Sequence, residues 1–217
     1  MLSFSNISIL FCCVKKDLKK IILASASPRR KELMKKIGLK FEIEPANSEE
    51  ATGFVKDARR LVRKLSRDKA EAIALKHRNA IVIAADTVVL LEDNILGKPG
   101  SRAEAGRMLR SLSGKSHTVI TGFTIIDTGK KQVLSKSVET KVYMRELEQK
   151  EISAYVKSGE PLDKAGAYAI QGLGSVFVER IEGDYFNVVG LPLCALSESL
   201  KEFGINVLSV QAEPTTE

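Results

Sequence analysis

A mixed α/β fold is what this sequence predicts, on three observations. Helical and strand-like patterns interleave along the chain without a strict strand–helix–strand repeat, which favours a mixed sheet over a purely parallel one. The stretch "AIVIAADTVVLLEDN" is a continuous apolar run of strand character, broken only at Asp86 and Thr87. "SHTVITGFTIID" and "KQVLSKSVETKVYM" follow one another across a short Gly-containing turn, as the arms of a long hairpin do. No internal repeat and no Pro- or Ser-rich linker divides the chain, so one integrated fold is expected, with two lobes about a central cleft.

The elements follow in order. "KKIILAS" reads as a buried strand that ends at its serines. Ser27 then supplies an N-cap and Pro28 a first helical residue, and Leu33, Met34 and Ile37 recur at helical spacing until Gly38 closes the helix. "KFEIEP" is a short strand, after which Pro45 opens an acidic loop through Glu49 and Glu50. Residues 55–76 carry a helical pattern, with Val62, Leu65, Ala72 and Ile73 on one stripe and Lys69 in the middle of it. Beyond the long apolar run comes the turn "GKPG", and Ser101 with Glu104 forms a capping box for a helix ending near Leu112. A helix over residues 149–157 follows the hairpin. The Gly-rich "DKAGAYAIQGLG" leads into "SVFVERIEGDYFNVV", which reads as a second hairpin turning at Glu182, Gly183 and Asp184, and "LPLCALSESLKEFG" is the closing helix.

Composition narrows the classes of function. At 217 residues and 44% hydrophobic content the chain can bury a sizeable core, and no apolar run approaches the roughly 20 residues of a membrane-spanning helix. A soluble protein with no membrane partner is expected. Of the formal charge of +7, a net +3 falls before residue 21, which leaves +4 for the rest of the chain. A small polyanionic substrate accounts for that remainder as well as a nucleic acid would. The basic segment "RRLVRKLSRDK" alternates its charges with apolar residues, as a solvated helix face does, so no stable nucleic-acid partner is expected. Cys12, Cys13 and Cys194 have no C-x-x-C spacing and no histidine partner nearby, which suits reduced thiols in the cytoplasm. His77 and His117 show no zinc-like spacing and read as structural. The lysines of "MLSFSNISILFCCVKK" follow its apolar stretch, where a signal peptide would have them precede it. Residues 1–18 are therefore expected to be a dispensable extension of a single domain over 19–206, with 207–217 a tail.

The two helix starts "SPRRKE" and "SRAEAG" differ in a way that points to chemistry. The second places Glu104 in its first turn, as the helix dipole prefers, whereas the first places Arg29, Arg30 and Lys31 there. Free backbone N–H groups beside guanidinium forks make a phosphate site; the bland alternative is that these side chains point into water. Asp86 interrupts a buried run, where a carboxylate is costly unless paired or metal-bound. A strand end opening on a cleft would resolve this, and a structural Asp capping a turn with Thr87 is the alternative. Lys69 on an apolar stripe either snorkels to the surface or reaches a site, and Lys98 in its tight turn either meets a phosphate or is solvated. Glu49 and Glu50 are either solvated acids or oxygen ligands for magnesium, which takes one or two carboxylates and keeps several waters. Neither G-x-x-x-x-G-K-[ST] nor a G-x-G-x-x-G after a strand is present, so the common nucleotide folds are not signalled.

Taken together, "SASPRR", "AADTVV", "GKP", "LSGKSHTVITG", "EPLDKAGAYAIQGLG" and "VVGLPL" closely resemble the Maf family of nucleoside triphosphate pyrophosphatases, in order and spacing, over about residues 20 to 204. The resemblance implies an elongated mixed sheet flanked by helices around a cleft. It implies cleavage of a nucleoside triphosphate to monophosphate and pyrophosphate with a divalent cation, Mg²⁺ or Mn²⁺, and allows a homodimer. Carried over by motif, Ser27, Arg29, Arg30, Lys69 and Lys98 would hold the triphosphate. Asp86 would be the catalytic carboxylate, with Glu49 and Asp86 as metal ligands, although Glu50 fits the loose loop motif as well. "DKAGAYAIQG" resembles the subgroup acting on dTTP and UTP, in which Arg29, Thr87 and Gln171 would bear on base choice. Two alternatives stand beside it: the subgroup acting on 7-methyl-GTP or another non-standard purine triphosphate, and a non-enzymatic regulator of cell division and septum formation.

Overall fold

The long apolar run is a twelve-residue strand with neighbours on both edges, at the middle of one continuous sheet. A computed structural model describes residues 19–46, 53–54 and 56–209. In chain order the elements are β1 (Lys20–Leu23), α1 (Pro28–Lys36), β2 (Glu42–Ile43), β3 (Gly53–Phe54), α2 (Ala58–Ala74), β4 (Ala80–Leu91) and β5 (Asn94–Leu96). Then come α3 (Arg102–Leu112), β6 (Ser116–Asp127), β7 (Gln132–Met144), α4 (Gln149–Ser158), β8 (Val178–Glu182), α5 (Tyr185–Val189) and α6 (Leu193–Lys201). Short 3₁₀ turns at Glu160–Asp163, Ala165–Ala167 and Gly172–Phe177 join α4 to β8.

The sheet runs β2-β1-β4-β6-β7-β8, with β5 on the far part of β4 and β3 on β5. β1 is parallel to β2 and β4, and every other pairing is antiparallel, so the sheet is mixed as expected. The predicted long hairpin is β6 and β7, in register from Ser116↔Tyr143 to Asp127↔Gln132.

Alternation along β4 sorts the core into two layers, because successive side chains leave opposite faces of a strand. Ile81, Ile83 and Ala85 pack with Leu33 and Met34 of α1 and Leu196 and Leu200 of α6. Further along the same face, Val89 and Leu91 pack with Leu109 and Leu112 of α3 and Ile152 of α4. Val82, Ala84 and Val88 face the other way, towards Val62, Ala70 and Ile73 of α2. One sheet runs under both groups of helices, so the cleft expected of two lobes is here an opening within a continuous layer.

Several sequence expectations hold at their boundaries. Ser27 caps α1, its Oγ accepting the Arg30 N–H at 3.5 Å, and Gly38 follows the helix at φ 71°. His77 is structural, with Nε2 2.7 Å from a Glu44 carboxylate oxygen. Cys194 is an exposed free thiol, while Cys12, Cys13, Glu49 and Glu50 lie outside the described residues.

Four expectations are corrected. The second hairpin does not form: β8 pairs with β7, and "DYFNVV" becomes α5. Asp184 Oδ1 accepts the N–H groups of Phe186 and Asn187 at 2.7 and 3.3 Å, and this N-cap starts a helix where the apolar pattern suggested a strand. The buried stripe of α2 is Ala58, Val62, Ser66, Ala70 and Ile73; Leu65 is only half-buried and Ala72 is exposed. The reason is how closely α2 lies on the sheet, since a Cβ at Gly122 would stand 2.4 Å from the Val62 carbonyl carbon and oxygen. Small side chains therefore face inward, and the hydroxyl of Ser66 is satisfied there by Thr124 Oγ1 at 2.9 Å and Arg63 O at 3.0 Å. The strand expected in "KFEIEP" shrinks to Glu42–Ile43 on the sheet's edge. At α3 the cap is not reciprocal: Ser101 Oγ accepts from Glu104 N at 3.2 Å, but Glu104 Oε2 accepts from Gly100 N, at 2.8 Å.

Candidate active site

β4 pairs with β6 along nearly all of one edge, but along the other edge it is paired only towards its ends. β1 covers residues 80–83 and β5 covers residues 89–91, so residues 84–88 face a gap. Here β1 has ended and the chain turns through residues 24–27 into α1. Ligands of α/β sheets bind outside the carboxyl ends of parallel strands, where the connections diverge. A cavity of about 510 Å³ occupies this place.

Asp86 therefore lies in mid-strand, opposite Gly122 of β6, and not at a strand end as the sequence suggested. The opening is made by the end of β1, not by the end of β4. Asp86 leaves the face covered by α2, where the Lys69 ammonium donates to its Oδ1. Both side chains are largely withdrawn from solvent, at 12% and 15% exposure. Lys69 sits one turn after Ser66, at the border of the buried stripe, so its stem packs while its amine reaches the cleft.

Thr87 leaves the opposite face and joins a different arrangement. Its Oγ1 accepts from Arg30 Nη2 at 3.0 Å and lies 2.9 Å from Thr121 Oγ1, which donates to Asn187 O at 2.9 Å. Arg30 also donates from Nε to Gly190 O at 2.9 Å and from Nη1 to Ser25 Oγ at 3.2 Å. Burial pulls the pKa of this guanidinium down, against the Asp86 carboxylate, which raises it, and with a further lowering from Arg29. Three hydrogen bonds thus hold Arg30 as a fixed wall of the cleft.

Its neighbour behaves differently. Arg29 lines the cavity with 30% of its side chain exposed, and its Nη1 stands 3.9 Å from an Asp163 carboxylate oxygen. Ser27, Lys98 and Gln171 also line the cavity, so the cleft gathers Ser27, Arg29, Arg30, Lys69, Asp86, Thr87, Lys98 and Gln171 in one place. Glu49, the remaining expected site residue, lies outside the described residues.

Sequence reasoning missed Ser25, Asp163, Lys164 and Tyr168, all of which line the same cavity. Asp163, Lys164 and Tyr168 stand in "EPLDKAGAYAIQGLG", where the adjacent charges before a Gly-rich run are the signal that points to the cleft. Among the described residues, five cationic side chains and two carboxylates line the cleft. That balance, at a helix N-terminus without an acid in its first turn, attracts a polyanion.

No group of three or more His, Cys, Asp or Glu that could hold a metal ion is found among the described residues, and Glu49 and Glu50 lie outside them. Asp86 supplies a carboxylate in the cleft, and a Mg²⁺-type ion takes one or two carboxylates and keeps several waters.

Fold and site together define an α/β protein with a cationic cleft, suited to an anionic ligand, that also presents a carboxylate. A family model described as "Maf-like protein" matches residues 20–203, and the chain belongs to the Maf family. Among its relatives, a protein of Thermoanaerobacter sp. (strain X514) named "dTTP/UTP pyrophosphatase" is 52% identical over 191 residues, covering 87% of this chain and 100% of the relative. Proteins of the same name from Desulforamulus reducens and Bacillus cereus (strain ATCC 10987 / NRS 248) are 46% and 49% identical, each over 88% of this chain and over 100% and 93% of their own lengths.

Proposed function

We propose that this chain is a nucleoside triphosphate pyrophosphatase acting on dTTP and UTP, releasing the monophosphate and pyrophosphate. The observation that carries the reading is the Lys69–Asp86 pair set within a polycationic cleft, in a chain about half identical to relatives named for that activity.

Arg29, Lys69 and Lys98, with Ser27 at the start of α1, bind the triphosphate, while Arg30 ties the turn before α1 to Thr87 of β4 and to Gly190. Asp86 orients a water and accepts its proton as the water oxygen attacks phosphorus. The anhydride bond breaks and pyrophosphate leaves, its charge met by the surrounding cations. Asp86, with Glu49, would hold a divalent cation, Mg²⁺ or Mn²⁺, which would supply neutralisation of the phosphate charge. Gln171 offers both a donor and an acceptor, as the 4-oxo and 3-NH edge of uracil or thymine requires.

The test is pyrophosphate release from dTTP, UTP, CTP, GTP and 7-methyl-GTP, with and without added metal. Asp86→Asn is expected to lose about 10²- to 10⁴-fold in turnover while keeping its circular dichroism spectrum. A folded Asp86→Asn protein with near-normal turnover removes Asp86 from this role, and preferential turnover of 7-methyl-GTP moves the chain to the purine subgroup.

A further inference from the structure

The cleft wall formed by residues 164–171 is anchored at Gly166 and at Tyr168, among other core contacts. Gly166, at φ 70°, lies against Val89, where a Cβ would stand 3.1 Å from Cγ1, and its N–H donates to Gly97 O at 3.0 Å. Two residues on, Tyr168 meets His117 of β6: Oη and Nε2 are 2.6 Å apart, and the rings stand edge to face with centroids at 5.3 Å. His117 and Tyr168 are 3% and 5% exposed, and Nδ1 of His117 is buried with no hydrogen-bond partner among the described residues.

The pair is buried and uncharged. Burial pulls the His117 pKa down to about 4, so the ring is neutral near pH 7 and carries one N–H. One proton lies between Nε2 and Oη, and in either tautomer the two rings are joined by that single buried hydrogen bond. Tyr168 is pinned through its oxygen at the back of the cleft, three residues before Gln171.

We propose that Tyr168, clamped by His117, is a positioning residue for base selection: the pair holds the segment 164–171 so that Gln171 meets the nucleobase edge in one orientation. This rests on the pyrimidine triphosphate reading above. It gives His117 a task beyond filling the core, since the ring is the anchor of a specificity wall.

The experiment measures kcat and KM on dTTP, UTP, CTP and GTP for wild type, Tyr168→Phe, His117→Leu, His117→Gln and the Tyr168→Phe/His117→Leu double variant. Tyr168→Phe, which removes one oxygen, is expected to raise KM for dTTP and UTP about tenfold, leave kcat within about twofold and shrink the preference over CTP by a similar factor. His117→Leu should reproduce that pattern and the double variant should be no worse than either, because the two residues act as one unit. His117→Gln, whose amide can donate to or accept from the hydroxyl, should recover part of the preference. A purely structural pair would lower Tm in the variants and leave KM and the base ranking unchanged, and that result overturns the proposal. If His117→Leu does not fold, Tyr168→Phe decides alone. If the wild type hydrolyses no pyrimidine triphosphate, the functional reading fails separately. The positioning role is then judged by calorimetric titration of the same four triphosphates, and unchanged ranking of their affinities in Tyr168→Phe overturns it.

Discussion

α1 and α3 begin with the same device and carry it to opposite ends. Ser27 and Ser101 each accept the N–H three residues on, from Arg30 and Glu104. α3 then completes itself: Glu104 sits in the first turn, offsets the helix dipole and takes the Gly100 N–H. α1 has no acid in its first turn, and Arg29, Arg30 and Lys31 add positive charge to an end that is already positive. The helix outside the cavity lining follows the local rules of stability, and the helix that lines it breaks one of them. Such a breach in an otherwise consistent sequence belongs where a ligand completes the structure.

Substitutions at the two starts should therefore separate activity from stability. The largest effect is expected at α1. Arg29→Ala removes a charge-assisted contact worth about 1.5–3 kcal/mol, so kcat/KM should fall roughly 10- to 150-fold on every triphosphate, with little change in Tm. Loss of stability without loss of activity at this position would mean that Arg29 serves the fold. At α3 the expectation reverses. Ser101→Ala should cost about 1 kcal/mol in denaturant unfolding and leave kcat/KM as it was. The smallest and most discriminating change makes α1 resemble α3. Lys31 is exposed, and Lys31→Glu should stabilise the protein by roughly 0.3–1 kcal/mol while weakening the KM for triphosphates a few-fold, and adding salt should shrink both effects. A Lys31→Glu protein that is no more stable than wild type would remove the dipole argument on which the contrast stands.

What was legible in the sequence divides along the same line between local and non-local causes. Ser27 with Pro28, Gly38, the apolar strand around Asp86 and the β6–β7 hairpin could be read because caps, turns and periodicity act within a few residues. The charge mismatch at α1 was legible for that reason too, and it led to the cleft. The inward face of α2 was not, because Ser66 is buried by a partner 58 residues away on β6. Nor was the true place of Asp86: a mid-strand carboxylate opens on a cleft only because β1, far away in sequence, stops at Leu23. α5 was hidden by a conflict of local signals, its apolar residues suggesting a strand while Asp184 set a helix cap. His117 could be classed as buried but not as an anchor, since its partner Tyr168 stands 51 residues on.

Gly122 pairs with Asp86 across the sheet and lies directly beneath the backbone of Val62 in α2. The distance between the helix that carries Lys69 and the strand that carries Asp86 is thus gauged at a position where a side chain is missing, outside the lining of the cavity. A single methyl group there would meet main-chain atoms that cannot swing aside, so the helix itself would have to lift and take its lysine with it. For anyone reshaping this cleft around a bulkier nucleotide, residue 122 is the shim under one wall, able to alter the aperture without replacing any residue that lines it.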